Sequence, residues 1–73
     1  MNSHKKNATE VLTFMISSLI LSLEEVSTAS SADSDSFCYG EKTAYVECLE
    51  WLQQWEHAER NGLNFNVEKR FPL

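Results

Sequence analysis

Cys38, Cys48, His57, Glu47 and Glu50 are the side chains of this sequence whose chemistry reaches beyond packing. The two cysteines stand ten residues apart. On one continuous helix that spacing separates their Cα atoms by about 15 Å, against a bridging limit of about 7 Å. An intrachain disulfide would therefore require Cys38 to leave the helix. Cys48 falls among apolar neighbours and reads as a small buried hydrophobe, whereas Cys38, nearer the edge, reads as a partly exposed thiol. A thiolate nucleophile needs a base within hydrogen-bond reach. His57 falls on the polar side of the predicted helix and Cys48 on the apolar side, so the two point apart and cysteine catalysis is not expected.

Glu47, Glu50, Gln54 and His57 share one helical face. Carboxylate metal sites in helical bundles use a Glu-x-x-His step whose ligands point into the core. Here the step is Gln54-Trp55-Glu56-His57, its first donor is weak, and the group points outward, which is the pattern of a solvated face. There is no CxxC, HExxH or GxSxG pattern, and the only glycines, Gly40 and Gly62, cannot build a phosphate-cradling loop. The expectation is a non-enzyme with no catalytic residue, no cofactor and no metal.

The element that carries these residues is a predicted helix over about 36–61. Phe37, Ala44, Cys48, Trp51, Trp55 and Ala58 are spaced by seven and then alternately by four and three. Tyr45, Leu49 and Leu52 widen that line into a stripe over roughly half the helix circumference. Both tryptophans fall on the apolar side, opposite Lys42, Glu47, Glu50, Gln53, Gln54, His57 and Arg60. Asp35 or Ser36 is placed to cap the start. Asn61-Gly62 is placed to end the helix, with Leu63 folding back on the last turn.

A first helix is predicted over about 8–29, capped by Asn7 or Thr9 after a polar Met1–Asn7 segment expected to fray. Leu12, Ile16, Leu19, Leu23 and Val26 form its seam, and Val11, Met15 and Ile20 broaden it. Phe14 and Leu21 lie seven apart outside that seam and form a second apolar patch. The same stretch has a rival outline, a secretory signal peptide: Lys5 and Lys6, then Val11 to Leu23, then small residues at Ser27-Thr28-Ala29. Glu10 and the interruptions at Thr13, Ser17, Ser18 and Ser22 weigh against it, and the stretch is too short and too polar to span a bilayer. Between the helices, Ser- and Asp-rich residues 27–36 read as a connector, because such side chains compete for nearby backbone groups. After Gly62, Leu63, Phe65 and Val67 alternate with Asn64, Asn66 and Glu68, an extended pattern. With Phe71 and Leu73 it predicts an apolar tail over 63–73 that packs across the helices or onto a partner chain.

Seventy-three residues make a single small domain, and a formal charge of −5 with six dispersed Lys and Arg residues excludes the concentrated basic surface that nucleic acid or an anionic membrane requires. Two amphipathic helices with such broad apolar faces present more dry surface than one hairpin hides. The expected fold is therefore all-α: a two-helix antiparallel hairpin with an extended apolar tail, paired into a dimeric four-helix bundle. The expected function is a protein–protein interaction or regulatory role exercised by self-association and binding. Its partners are a second copy and another protein, with contacts through Phe14, Leu21, Leu49, Trp51, Trp55, Phe65 and Phe71. A cytoplasmic location is expected, or secretion if the first 29 or so residues are a leader.

Overall fold

The computed structural model describes residues 5–29 and 36–73. The Ser/Asp-rich connector lies mainly outside the described residues, as does most of the polar segment before the first helix. Helix α1 spans Ala8–Ala29. Asn7 caps it: its Oδ1 accepts from the Glu10 amide at 2.8 Å, while Glu10 Oε1 accepts from the Asn7 amide at 3.0 Å. This reciprocal pair satisfies two backbone donors that the helix itself leaves without partners.

Helix α2 spans Ser36–Leu52 and pairs with α1 as a helical hairpin. It stops well short of the predicted end near residue 61. Beyond Leu52 the backbone tightens into i→i−3 bonds, from Gln54 N to the Trp51 carbonyl, Trp55 N to Leu52 and Ala58 N to Trp55, at 2.9–3.1 Å. Three residues per turn instead of 3.6 adds about 20° of rotation per residue. After Leu52 the apolar line therefore drifts out of the phase it keeps in α2. Trp51 stays outside, Trp55 becomes half-buried and Ala58 is buried in the core.

A 3₁₀ turn at Glu59–Asn61 then ends on Gly62, whose φ of 111° is the left-handed conformation that glycine adopts without a Cβ penalty. The Leu63 amide reaches back to the Ala58 carbonyl at 2.9 Å, the six-to-one bond of a Schellman ending. Leu63 is buried as a result.

The tail departs from the extended expectation. Residues 63–66 carry no helix, but Val67–Arg70 form a single turn, α3, whose start is capped by Asn66 Oδ1 accepting from the Lys69 amide at 2.9 Å. Val67 and Phe71 are four apart, so one helical turn aims both at the core, which an alternating strand would not do. Both are buried. The tail thus returns across the hairpin: Gly62 sits beside Ile16, Gln53 Nε2 donates to the Phe65 carbonyl at 2.7 Å, and Arg70 reaches Glu24.

The core is Ile16 and Leu23 from α1, Val46 and Leu49 from α2, then Ala58, Leu63, Val67 and Phe71. Each fully buried aliphatic side chain contributes about 1.5–3 kcal/mol. Roughly half of this core belongs to residues after α2, so the tail is a structural layer and not an appendage. Among the described residues there is no strand, and no helix is long and apolar enough to cross a membrane.

Candidate functional site

The seven residues expected to make contacts divide into three groups. Leu49 is fully buried and Phe71 nearly so, both inside the chain's own core. Trp55 and Phe65 are half-buried against that core. Trp55 meets His57 edge-on at 5.6 Å, and Phe65 lies edge-on to Phe71 at 6.4 Å. Phe14, Leu21 and Trp51 stay in solvent, at 62%, 57% and 67% exposure. Within the single chain Leu49 and Phe71 are already covered as members of the core.

The line Phe37–Ala44–Trp51 was expected to form the buried side of the second helix. It faces out instead, Phe37 at 74% exposure, while Val46 and Leu49 point inward. At about 100° per residue, Ala44 and Trp51 point about 100° of turn or more away from Val46 and Glu50, residues of α2 on the tail side. On α1, Val11 and Met15 are exposed and lie at least about 100° of turn from Ile16 and Glu24, which meet the tail, whereas exposed Phe14 and Leu21 lie about 60–80° from Glu24. The hairpin accordingly has one face closed by the tail and an opposite face on which apolar side chains of both helices meet water. A cluster of this kind on a small chain marks an interaction surface more often than an isolated exposed residue does.

The chemical side chains are arranged differently from their sequence spacing. Cys38 and Cys48 are both half-buried, and no disulfide joins them. Gln54 and His57 lie beyond the end of α2, so the shared face with Glu47 and Glu50 is broken. His57 Nε2 sits 3.6 Å from Glu56. Among the described residues no three His, Cys, Asp or Glu side chains converge as a metal site would require. An open cleft of about 780 Å³ lies where the tail leaves the hairpin, lined by Glu50, Trp55, Glu59, Leu63 and Phe65 among others.

A carboxylate pair beside this cleft was not anticipated. Glu50 shares a side-chain hydrogen bond with Glu68 of α3. That bond, partial desolvation and repulsion from Glu68 and Glu47 push the Glu50 carboxyl above its ordinary range. Nothing in the spacing of residues 50 and 68 points to this contact, because only the return of the tail creates it. On the other side of α2, the Tyr45 hydroxyl donates to Glu41 Oε2 at 3.0 Å; this bond, with some burial and the nearby negative charge, raises the phenol pKa.

These arrangements provide an apolar surface and a tail clasp. The chain matches no protein-family model, and comparison with curated proteins and with solved structures returns no match.

Proposed function

We propose that this protein acts by binding, through self-association of the open face of the hairpin into a dimeric four-helix bundle that serves a protein-interaction or regulatory role. The observation that carries this reading is the exposure of Phe37 and Trp51 on α2 and of Val11 and Met15 on α1, away from the tail, with exposed Phe14 and Leu21 bordering them. Water contact with these side chains is unfavourable by about 25 cal/mol per Å². A second hairpin laid on that face removes this surface and supplies the second helical layer that a bundle requires. The intact chain is favoured as the working form over a product lacking its first 29 residues. Loss of α1 would strip Ile16 and Leu23 from the core and Glu24 from the tail.

Sedimentation equilibrium tests the reading. The expected result is a concentration-dependent dimer for the native chain and a folded, helical monomer for Trp51→Asp. A native chain that remains monomeric into the high micromolar range would overturn it.

A further inference from the structure

We infer that the occupant of the open face is a second copy seated with α2 antiparallel to α2 and the twofold axis passing close to Ala44; this rests on the self-association reading and specifies its register. A twofold interface places residue i against residue j and j against i, so the surface must be complementary to itself under reversal. The outward line of α2 has that property. Phe37 and Trp51 each lie seven residues from Ala44, about 10.5 Å along the axis. In an antiparallel pair centred on Ala44, each Trp51 comes level with the Phe37 of the other copy, and the two small Ala44 side chains meet at the axis.

Gly40 independently favours close approach. It lies inside α2, where glycine is disfavoured, and its φ is negative, so no left-handed turn requires it. A Cβ built there meets nothing within 4 Å. The fold of one chain therefore gives no steric reason for glycine at this position, whereas a neighbouring helix approaching at Ala44 does. The area is also sufficient. From their exposed fractions, Phe37, Trp51, Phe14, Leu21, Val11 and Met15 together offer on the order of 700 Å² per copy, against about 800 Å² per partner in a standard interface. None of these six is charged, whereas Glu41 and Glu47 stand three residues to either side of Ala44 and set like charges beside the axis, so association should strengthen with salt.

Cysteine cross-linking tests the register in a Cys38→Ser, Cys48→Ser background, with helicity checked by circular dichroism. Ala44 and Phe37 are exposed, so the variants are expected to fold. Ala44→Cys should form an interchain disulfide in high yield under mild oxidation, because the two residues face each other at the axis. Phe37→Cys should not, since its two copies lie about 21 Å apart along the pair. Gly40→Leu should raise the melting temperature of the isolated chain yet weaken association at least tenfold. A sedimenting dimer in which Ala44→Cys fails to bridge, or Phe37→Cys bridges, would overturn the register and leave self-association standing. A native chain without any dimer would overturn both.

Discussion

Arg70 donates from Nη2 to Glu24 Oε2 at 2.8 Å, joining the last turn of the chain to α1 across 46 residues of sequence. The same guanidinium lies 4.7 Å from the ring centre of Phe65 and 5.3 Å from that of Phe71. Arg70 thus covers the outer side of the aromatic pair while its charge is met by α1. The contact closes the tail over the hairpin after Leu63, Val67 and Phe71 have entered the core.

The strength of that clasp resides more in stacking than in charge. Both partners of the ion pair are about half exposed, at 44% and 50%, so solvent screens it and the pair alone contributes under about 1 kcal/mol. Each cation–π contact adds about 0.5–1 kcal/mol. Arg70→Ala should lower stability by about 1–2 kcal/mol in urea unfolding. Arg70→Lys should recover less than half of the loss because it lacks the planar face, and Glu24→Gln should cost least. Equal losses for Arg70→Ala and Glu24→Gln would contradict this division.

Core and surface apolar residues should separate by experiment. Phe71→Ala is expected to cost about 3–5 kcal/mol and Leu49→Ala about 2–5 kcal/mol. Such losses are large beside the roughly 4–10 kcal/mol typical of a chain this size. Leu49→Asp should leave the chain unfolded. Trp51→Ala should shift monomer stability by less than about 0.5 kcal/mol while weakening association. Circular dichroism melts combined with sedimentation check the contrast; a Trp51→Ala monomer that unfolds would place that indole in the core.

The Glu50–Glu68 pair predicts a pH dependence with a definite sign. The folded chain holds a proton on Glu50 to higher pH than the unfolded chain does. Across that window the native state binds more protons, so stability falls as pH rises. The contribution is fully present below the ordinary glutamate pKa and is lost as pH climbs through the raised pKa of Glu50. Glu68→Gln removes the charge opposite Glu50, so its melting temperature should exceed that of the native chain at neutral pH, and the advantage should shrink on acidification. Paired melts from about pH 4 to about pH 8 read the difference and cancel what is common to both chains. A difference that grows toward acid would refute the coupling.

A side chain at Gly62 should be destabilising because its φ of 111° is costly for any L residue; the space itself is adequate, a Cβ lying in ordinary contact 3.4 Å from Ile16 Cγ2. Gly62→Ala is expected to destabilise by about 1–2 kcal/mol. Gly40→Ala, placed in open space within α2, should stabilise the isolated chain by up to about 1 kcal/mol. Opposite signs from the same substitution at the only two glycines form the check, read by thermal melts of each variant at concentrations where it is monomeric.

Much of the local structure is readable from the chain without coordinates, because its causes act within a few residues. Asn7 with Glu10, the apolar spacing of residues 8–29, Gly62 before Leu63, and the apolar content after residue 62 each act on their own neighbourhood. What the spacing of α2 does not contain is its phase. Apolar residues occur on both the Phe37–Ala44–Trp51 side and the Tyr45–Val46–Leu49 side, and a period of 3.6 residues says how they recur, not which set turns inward.

Only the tertiary structure makes that choice. α1 brings Ile16 and Leu23, the returning tail brings Leu63, Val67 and Phe71, and the packing of these branched and aromatic side chains closes around Val46 and Leu49. The same closure rotates the chain after Leu52 so that Ala58 is buried, turns residues 67–70 into a helical turn, and sets Glu50 against Glu68. Local sequence determines where helices begin and what can end them. Which face of α2 is dry depends on contacts between residues distant in sequence, and those form only when the tail folds back.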